Sequence, residues 1–163
     1  MELTSLSSQS TPSTTESPIG RTRRRSAVVL LAALVASLSL VAVSCTKNAA
    51  AYDSVNRINN TRVEAGLRRL AIDDTLVNKA QAWAERMAKA GAISHSQLAD
   101  GAGDNWRTLG ENVGVAGSIA QMHQLFMDSP PHRANIVAGK YDRVGLGVAQ
   151  AGGRYYVAQV FAG

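Results

Sequence analysis

Apolar residues along the chain follow three different spacings, and each predicts a different kind of element. Residues 27–43 run without a charge through Val28, Val29, Leu30, Leu31, Leu34, Val35, Leu38, Leu40 and Val41, a stretch with no polar face to turn toward water. From Tyr52 onward the apolar positions recur every three to four residues. Val55, Ile58 and Arg62 fall on one helical face, and Gly66 stands where a left-handed cap ends a helix. Leu76, Ala80, Trp83, Ala84 and Met87 mark a second helix, with Asp73 or Asp74 as its N-cap and Gly91 as its stop. A third is predicted from Ser118 through Ile119, Met122, Leu125 and Phe126. A short fourth starts with Ser129 as cap and Pro130 at the first helical position, where a missing N–H is harmless. Near the end the period becomes two: Val144, Leu146 and Val148 alternate with glycines, and Tyr155, Val157, Gln159 and Phe161 form a second alternating run. Gly152-Gly153 between them predicts a hairpin turn. Leu109 to Val115 reads as a further short strand, and the Gly- and Asp-containing stretch from His95 to Leu109 as a loop. Helices first and a hairpin last predict an α+β or layered α/β/α domain with an antiparallel sheet. Arg62, placed among core positions, needs a carboxylate or carbonyl partner and is read as an internal structural clamp.

The segment ahead of this domain has the order of an export signal. Residues 1–26 are a Ser- and Thr-rich, disordered stretch ending in the basic cluster Arg21, Arg23, Arg24 and Arg25. Residues 27–51 are the apolar export signal or membrane anchor, and residues 52–163 the domain. Three fates are open to the leader. Ala42-Val43-Ser44-Cys45 resembles a lipoprotein signal, which would make Cys45 a lipidation site. Ala49-Ala50-Ala51 offers small residues for ordinary cleavage. An uncut segment would remain as a single-pass anchor with its arginines in the cytoplasm. Each fate predicts an exported protein, extracellular or in the cell envelope, whose membrane contact runs through the leader or a lipid anchor.

Charge changes little once the leader is set aside. The whole chain carries a net +5, but removing the five basic and two acidic residues before Tyr52 leaves 12 Lys and Arg against 10 Asp and Glu. A domain so balanced, with no basic run, gives no electrostatic reason to expect nucleic-acid binding. Cys45 is the only cysteine, so no intrachain disulfide can form and the apolar core must hold the fold.

His95 after a helix end, Glu111 in Leu109-Gly110-Glu111-Asn112-Val113 and His132 in the first turn of a helix are the polar residues with the most distinctive contexts. Two imidazoles and a carboxylate from separate elements could bind a divalent metal or share protons, and spacing alone leaves open whether they meet. His123 lies beside the apolar stripe of its helix and reads as structural or surface. No His-Glu-x-x-His helix, Gly-x-Ser-x-Gly elbow or phosphate-binding Gly-rich loop is present.

Four motifs in order add a resemblance to these readings. They are Asn59-x-x-Arg62-x-x-x-Gly66-Leu67, Ile93-Ser94-His95-Ser96, Gly110-Glu111-Asn112-Val113, and the run from Phe126 through Ser129-Pro130-Pro131-His132-Arg133-Ala134-Asn135-Ile136. From about Tyr52 to Gly163 the chain resembles the CAP superfamily of cysteine-rich secretory, antigen 5 and pathogenesis-related 1 proteins, in its cysteine-free bacterial branch. The resemblance implies a three-layer α/β/α sandwich with a central antiparallel sheet. It also implies a cleft faced by His95 and His132 with Glu111 between them, and zinc or another divalent cation held through the two histidines. The chain departs from the family in carrying Phe126 for a Trp and Pro131 for a Gly. No Glu lies between Glu111 and His132, where Asp128 is the nearest acid.

Three functions follow as expectations. The first is a binding module whose cleft holds an apolar or cell-envelope ligand. The others are a metal-dependent hydrolase in which Glu111 activates bound water, and a non-catalytic protein-interaction domain.

Overall fold

A computed structural model describes residues 49–163. The disordered stretch, the basic cluster, the apolar run and Cys45 lie outside the described residues. Among the described residues no helix is long and apolar enough to cross a membrane.

Helix α1 spans residues 49–64. The rest follow in order: β1 (Ala71–Ile72), α2 (Asp74–Ala90), β2 (Leu109–Ala116), α3 (Ile119–Asp128), α4 (Pro130–Ile136), β3 (Arg143–Ala151) and β4 (Arg154–Ala162). Helix α1 already runs through residues 49–51, ahead of Tyr52, and Ala50 and Ala51 pack partly buried against the core.

Local chemistry sets the helix ends. Asp73 has extended backbone and its carboxylate accepts from the Leu76 N–H, while Gly91 adopts the left-handed conformation at the other end of α2. The Ser118 hydroxyl accepts from the Gln121 N–H at the start of α3. Ser129 precedes α4 with extended backbone, but its side chain makes no capping bond. Leu125 is exposed. Ile119, Met122 and Phe126 center the buried face of α3, and at about 100° per residue Leu125 falls roughly a quarter turn away from it.

The sheet runs β1-β3-β4-β2. β3 and β4 pair antiparallel through a two-residue loop, with Ala151 opposite Arg154, and both loop glycines have positive φ as a hairpin of this length requires. β2 pairs antiparallel with β4 and forms one edge, while the short β1 adds to β3 in parallel at the other. The sheet is therefore mixed at that edge, where the sequence predicts antiparallel strands throughout. Two residues are too short to show a period, and β1 exists only through its pairing with β3.

Strand alternation gives two cores. Val144, Leu146, Val148, Val157 and Phe161 face Val55 and Ile58 of α1, Met122 and Phe126 of α3 and Ile136 of α4. Val113, Ala149, Tyr156, Ala158 and Val160 face Leu76, Ala80, Ala84 and Met87 of α2. The result is the three-layer sandwich, with α2 alone on one face and three helices on the other. Opposite α2, β3 presents Gly145 and Gly147, where a Cβ would fall on the α2 backbone at Leu76–Val77 and Ala80–Gln81. The Gln81 side chain then pairs with the main chain of Val148, donating to its carbonyl at 3.2 Å and accepting from its N–H at 3.0 Å. That contact covers the part of the β3 edge beyond β1, a position open to unwanted strand pairing.

Arg62 joins α1 to the segment after α4. It is 1% exposed. Its Nε donates to the Arg68 carbonyl at 2.9 Å, Nη1 to those of Ile136 and Ala138 at 2.9 Å each, and Nη2 to that of Tyr141 at 3.2 Å.

Candidate functional site

β2 is an edge strand, so groups from both faces of the sheet can meet around it. Glu111 and Asn112 are neighbors in β2 and point to opposite faces. Glu111 shares its face with Val113, toward α2, while Asn112 faces the layer that holds α4.

On the α2 side, Gly91 ends the helix and the chain turns back across β2, setting His95 and Ser96 against Glu111. His95 Nδ1 lies 2.8 Å from Glu111 Oε2, which also accepts the Ser96 N–H at 2.9 Å. The Ser96 hydroxyl donates to Oε1 at 2.6 Å. The Glu111 side chain is 3% exposed and that of His95 61%. A carboxylate receiving three hydrogen bonds acts as acceptor only, so the proton in the His95 contact sits on Nδ1. In the neutral ring Nε2 is then the lone-pair nitrogen, on the side of the ring away from the Nδ1–Glu111 contact. This is the geometry by which a carboxylate fixes the tautomer and orientation of an imidazole that binds something else.

Glu111→Gln keeps the shape of that side chain but replaces one acceptor with an NH2 group facing donors. We expect a loss of about 1–3 kcal/mol in urea denaturation. An unchanged midpoint would show that the carboxylate does not hold this corner together.

On the other side, a chain of amides, buried at Asn112 and Gln159 and half-buried at Asn135, positions α4. Asn112 Nδ2 donates to the His132 carbonyl at 3.1 Å and to Gln159 Oε1 at 3.0 Å. Its Oδ1 accepts from Asn135 Nδ2 at 2.9 Å, and the same Asn135 amide reaches the Glu111 carbonyl at 3.2 Å. His132 Nδ1 lies 2.9 Å from Ser129 Oγ, and its ring packs on Phe126 with centroids 5.1 Å apart. The Ser129 hydroxyl is thus occupied by His132 instead of capping the helix.

The structure therefore joins His95 directly to Glu111, while His132 is tied through its main chain to Asn112 and through its ring to Ser129. Asp128 accepts from Gln124 on the exposed end of α3. Ser96, Asn112, Asn135 and Gln159 were not singled out from sequence. The signal for two of them was there: Asn112 and Gln159 are amides at inward positions of alternating strands, which demand buried partners.

Among the described residues no group of three or more His, Cys, Asp or Glu side chains is placed to hold a metal ion. Zinc sites take three or four protein ligands. With the Glu111 carboxylate committed to three donors, two imidazoles remain, and this set does not fit a zinc site.

Beside His95 a groove of about 520 Å³ opens between α2 and the loop that follows it. Lys79, Trp83 and Arg86 line it from the helix, and His95, Gln97 and Asp100 from the loop.

Two of the three histidines titrate below the ordinary imidazole range. Burial lowers His132, and the nearby His95 adds to the effect. Burial also lowers His123, with Arg57 acting the same way and Asp53 and Glu64 opposing it. His123 Nε2 lies 2.9 Å from Thr61 Oγ1 between α3 and α1, and its buried Nδ1 has no partner among the described residues. Both rings bind a proton more weakly folded than unfolded, so the unfolded chain takes up more protons as pH falls through about 6.5. Stability is fully present above that pH and declines below it. Urea midpoints followed from about pH 7.5 down to about pH 5 should fall, and less steeply in His123→Gln. A flat profile would contradict this assignment.

Comparison with known proteins bears on the fold and the family. The model of the family described as "CAP: Cysteine-rich secretory protein family" matches residues 55–161. The chain is 27% identical over 120 residues to YkwD of Bacillus subtilis strain 168, a protein described as uncharacterized; the match covers 67% of this chain and 47% of that one. The chain thus spans about half the length of this curated relative. Two solved structures share the fold. An extracellular SCP-domain protein of Bacillus anthracis superposes with a TM-score of 0.63 at 20% identity, covering 71% of this chain and 41% of the other. An outer surface protein of Borrelia burgdorferi gives 0.61 at 17% identity, covering 66% and 87%.

Proposed function

The chain belongs to the CAP, or cysteine-rich secretory protein, family, and from that premise we propose that it is an exported binding module whose groove beside His95 holds a cell-envelope ligand. The observation that carries this reading is the commitment of Glu111. Three donors occupy its carboxylate, so it serves to aim His95, which lines the groove. The leader, basic then apolar then small, supports action outside the cytoplasm. Lys79, Arg86, Gln97 and Asp100, set among apolar surface from Ala82 and Trp83, favor an envelope component that carries hydrogen-bonding groups over a purely apolar one.

A hydrolase reading needs Glu111 to take a proton from water. A carboxylate already accepting from an imidazole, an amide and a hydroxyl is poorly placed to do so. Binding therefore stands ahead of catalysis.

Native mass spectrometry of the full chain, purified from the envelope of its own cells, tests the proposal. We expect a bound small molecule on the wild type that is lost from His95→Ala while the variant stays folded. The same mass on both proteins, or none on either, would overturn it.

A further inference from the structure

We propose that the groove between α2 and the following loop takes an anionic group, a phosphate or a carboxylate carried on a small polyol. The inference deepens the binding-module reading and rests on it.

The walls of the groove are rich in unspent donors. Lys79 Nζ donates to the carbonyls of Gln97 at 2.8 Å and Asp100 at 2.7 Å. These bonds fix the loop against the helix and leave the third ammonium hydrogen available. Arg86 holds its guanidinium over the Trp83 ring, 5.7 Å from the centroid. No carboxylate pairs with it among the described residues, so the guanidinium keeps its N–H groups available to donate. The Trp83 indole N–H is itself spent on the Ser94 carbonyl at 2.7 Å, which fixes the ring beneath Arg86. Against these stands one acid, Asp100, at the loop wall.

The Asp100 carboxylate faces two cations in the groove, and the nearby Glu111 carboxylate is taken up by His95 and Ser96, so donors able to meet an anion outnumber the free acceptors there. Lys79 is held below the usual lysine range by burial, with Glu111 and Asp100 opposing that effect; an incoming anion would favor its charged form further. Arg86 suits a phosphate or carboxylate because its N–H groups match two oxygens at once. Neighboring polar groups such as the Gln97 amide can meet polyol hydroxyls.

The test uses the full chain in detergent at constant ionic strength, following the Trp83 indole N–H signal. Glycerol 1-phosphate and glucuronate are the two anionic probes, with glycerol and glucose as neutral controls. We expect a saturable shift with at least one anion and none with the neutral compounds. The more tightly bound anion identifies the source, phosphate or carboxylate. Arg86→Ala should weaken binding at least tenfold and Arg86→Lys less. Arg57→Ala, which removes an arginine paired with Asp53 and absent from the groove lining, should leave binding unchanged. Absence of a saturable shift with both anions, or equal affinity in Arg86→Ala, would overturn the proposal. If anions fail while an envelope component still leaves with His95→Ala, the anion inference falls and the binding module stands.

Discussion

Replacing Arg62 with Met should cost about 3–5 kcal/mol of stability, measured by urea denaturation at neutral pH. An apolar side chain of similar length avoids desolvating a cation, and in some buried ion pairs that gain wins. Here the partners are not carboxylates that could be removed with it. They are four main-chain carbonyls, of Arg68, Ile136, Ala138 and Tyr141, the contacts to Ile136 and Tyr141 buried and those to Arg68 and Ala138 partly so, and they remain in place whatever residue stands at 62. Each acceptor left without a donor costs about 1–3 kcal/mol, so four of them outweigh the saved desolvation. Arg62→Lys should fall between, since three ammonium hydrogens at one point cannot span four carbonyls. Because three of those carbonyls belong to the end of α4 and the chain after it, the variant should also loosen His132, seen as broadened ring signals. A loss under about 1 kcal/mol in Arg62→Met would show that the carbonyls find other partners.

The second large effect is expected at the contact between α2 and β3. A methyl group at Gly145 or Gly147 meets helix backbone, at Leu76–Val77 and at Ala80–Gln81. No rotamer change relieves such a clash, so α2 must lift from the sheet and pull Leu76, Ala80 and Met87 out of the core. Overpacking costs about 1–3 kcal/mol where side chains can yield, and a backbone obstacle places each Gly→Ala change at the upper end or above. The double variant should lose near-ultraviolet dichroism from its aromatic residues while keeping helical far-ultraviolet signal. Native-like stability in Gly147→Ala would contradict the close approach.

Much of the fold is written locally. Asp73, Ser118 and Gly91 announce helix ends through their own hydrogen bonds or backbone preference, and the change of period from 3.6 to two marks where the hairpin begins. The alternation of Val144, Leu146 and Val148 with glycines is legible too, although sequence alone does not say that the glycine side receives a helix. β1 and the Gln81–Val148 contact were not legible, because each depends on a partner far along the chain. The candidate site divides the same way. His95, Glu111 and His132 stand out by context, and parity within β2 separates Glu111 from Asn112. Which of the two meets His95 depends on how α2 and α4 lie across the sheet, and no local pattern records that. Ser129 shows the limit of a local rule: its position is that of a cap, yet the imidazole one turn later takes its hydroxyl.

The proposed binding function depends on Glu111 holding His95 through Nδ1, with Nε2 unprotonated in the neutral ring. Long-range ¹H–¹⁵N correlation of the imidazole nitrogens in the full chain, at a pH where His95 is neutral, reads this directly. The structure predicts a single tautomer for His95, with the proton on Nδ1 and an unprotonated Nε2, that averages between tautomers in Glu111→Gln. A proton on Nε2, or averaged nitrogen signals in the wild type, would contradict it.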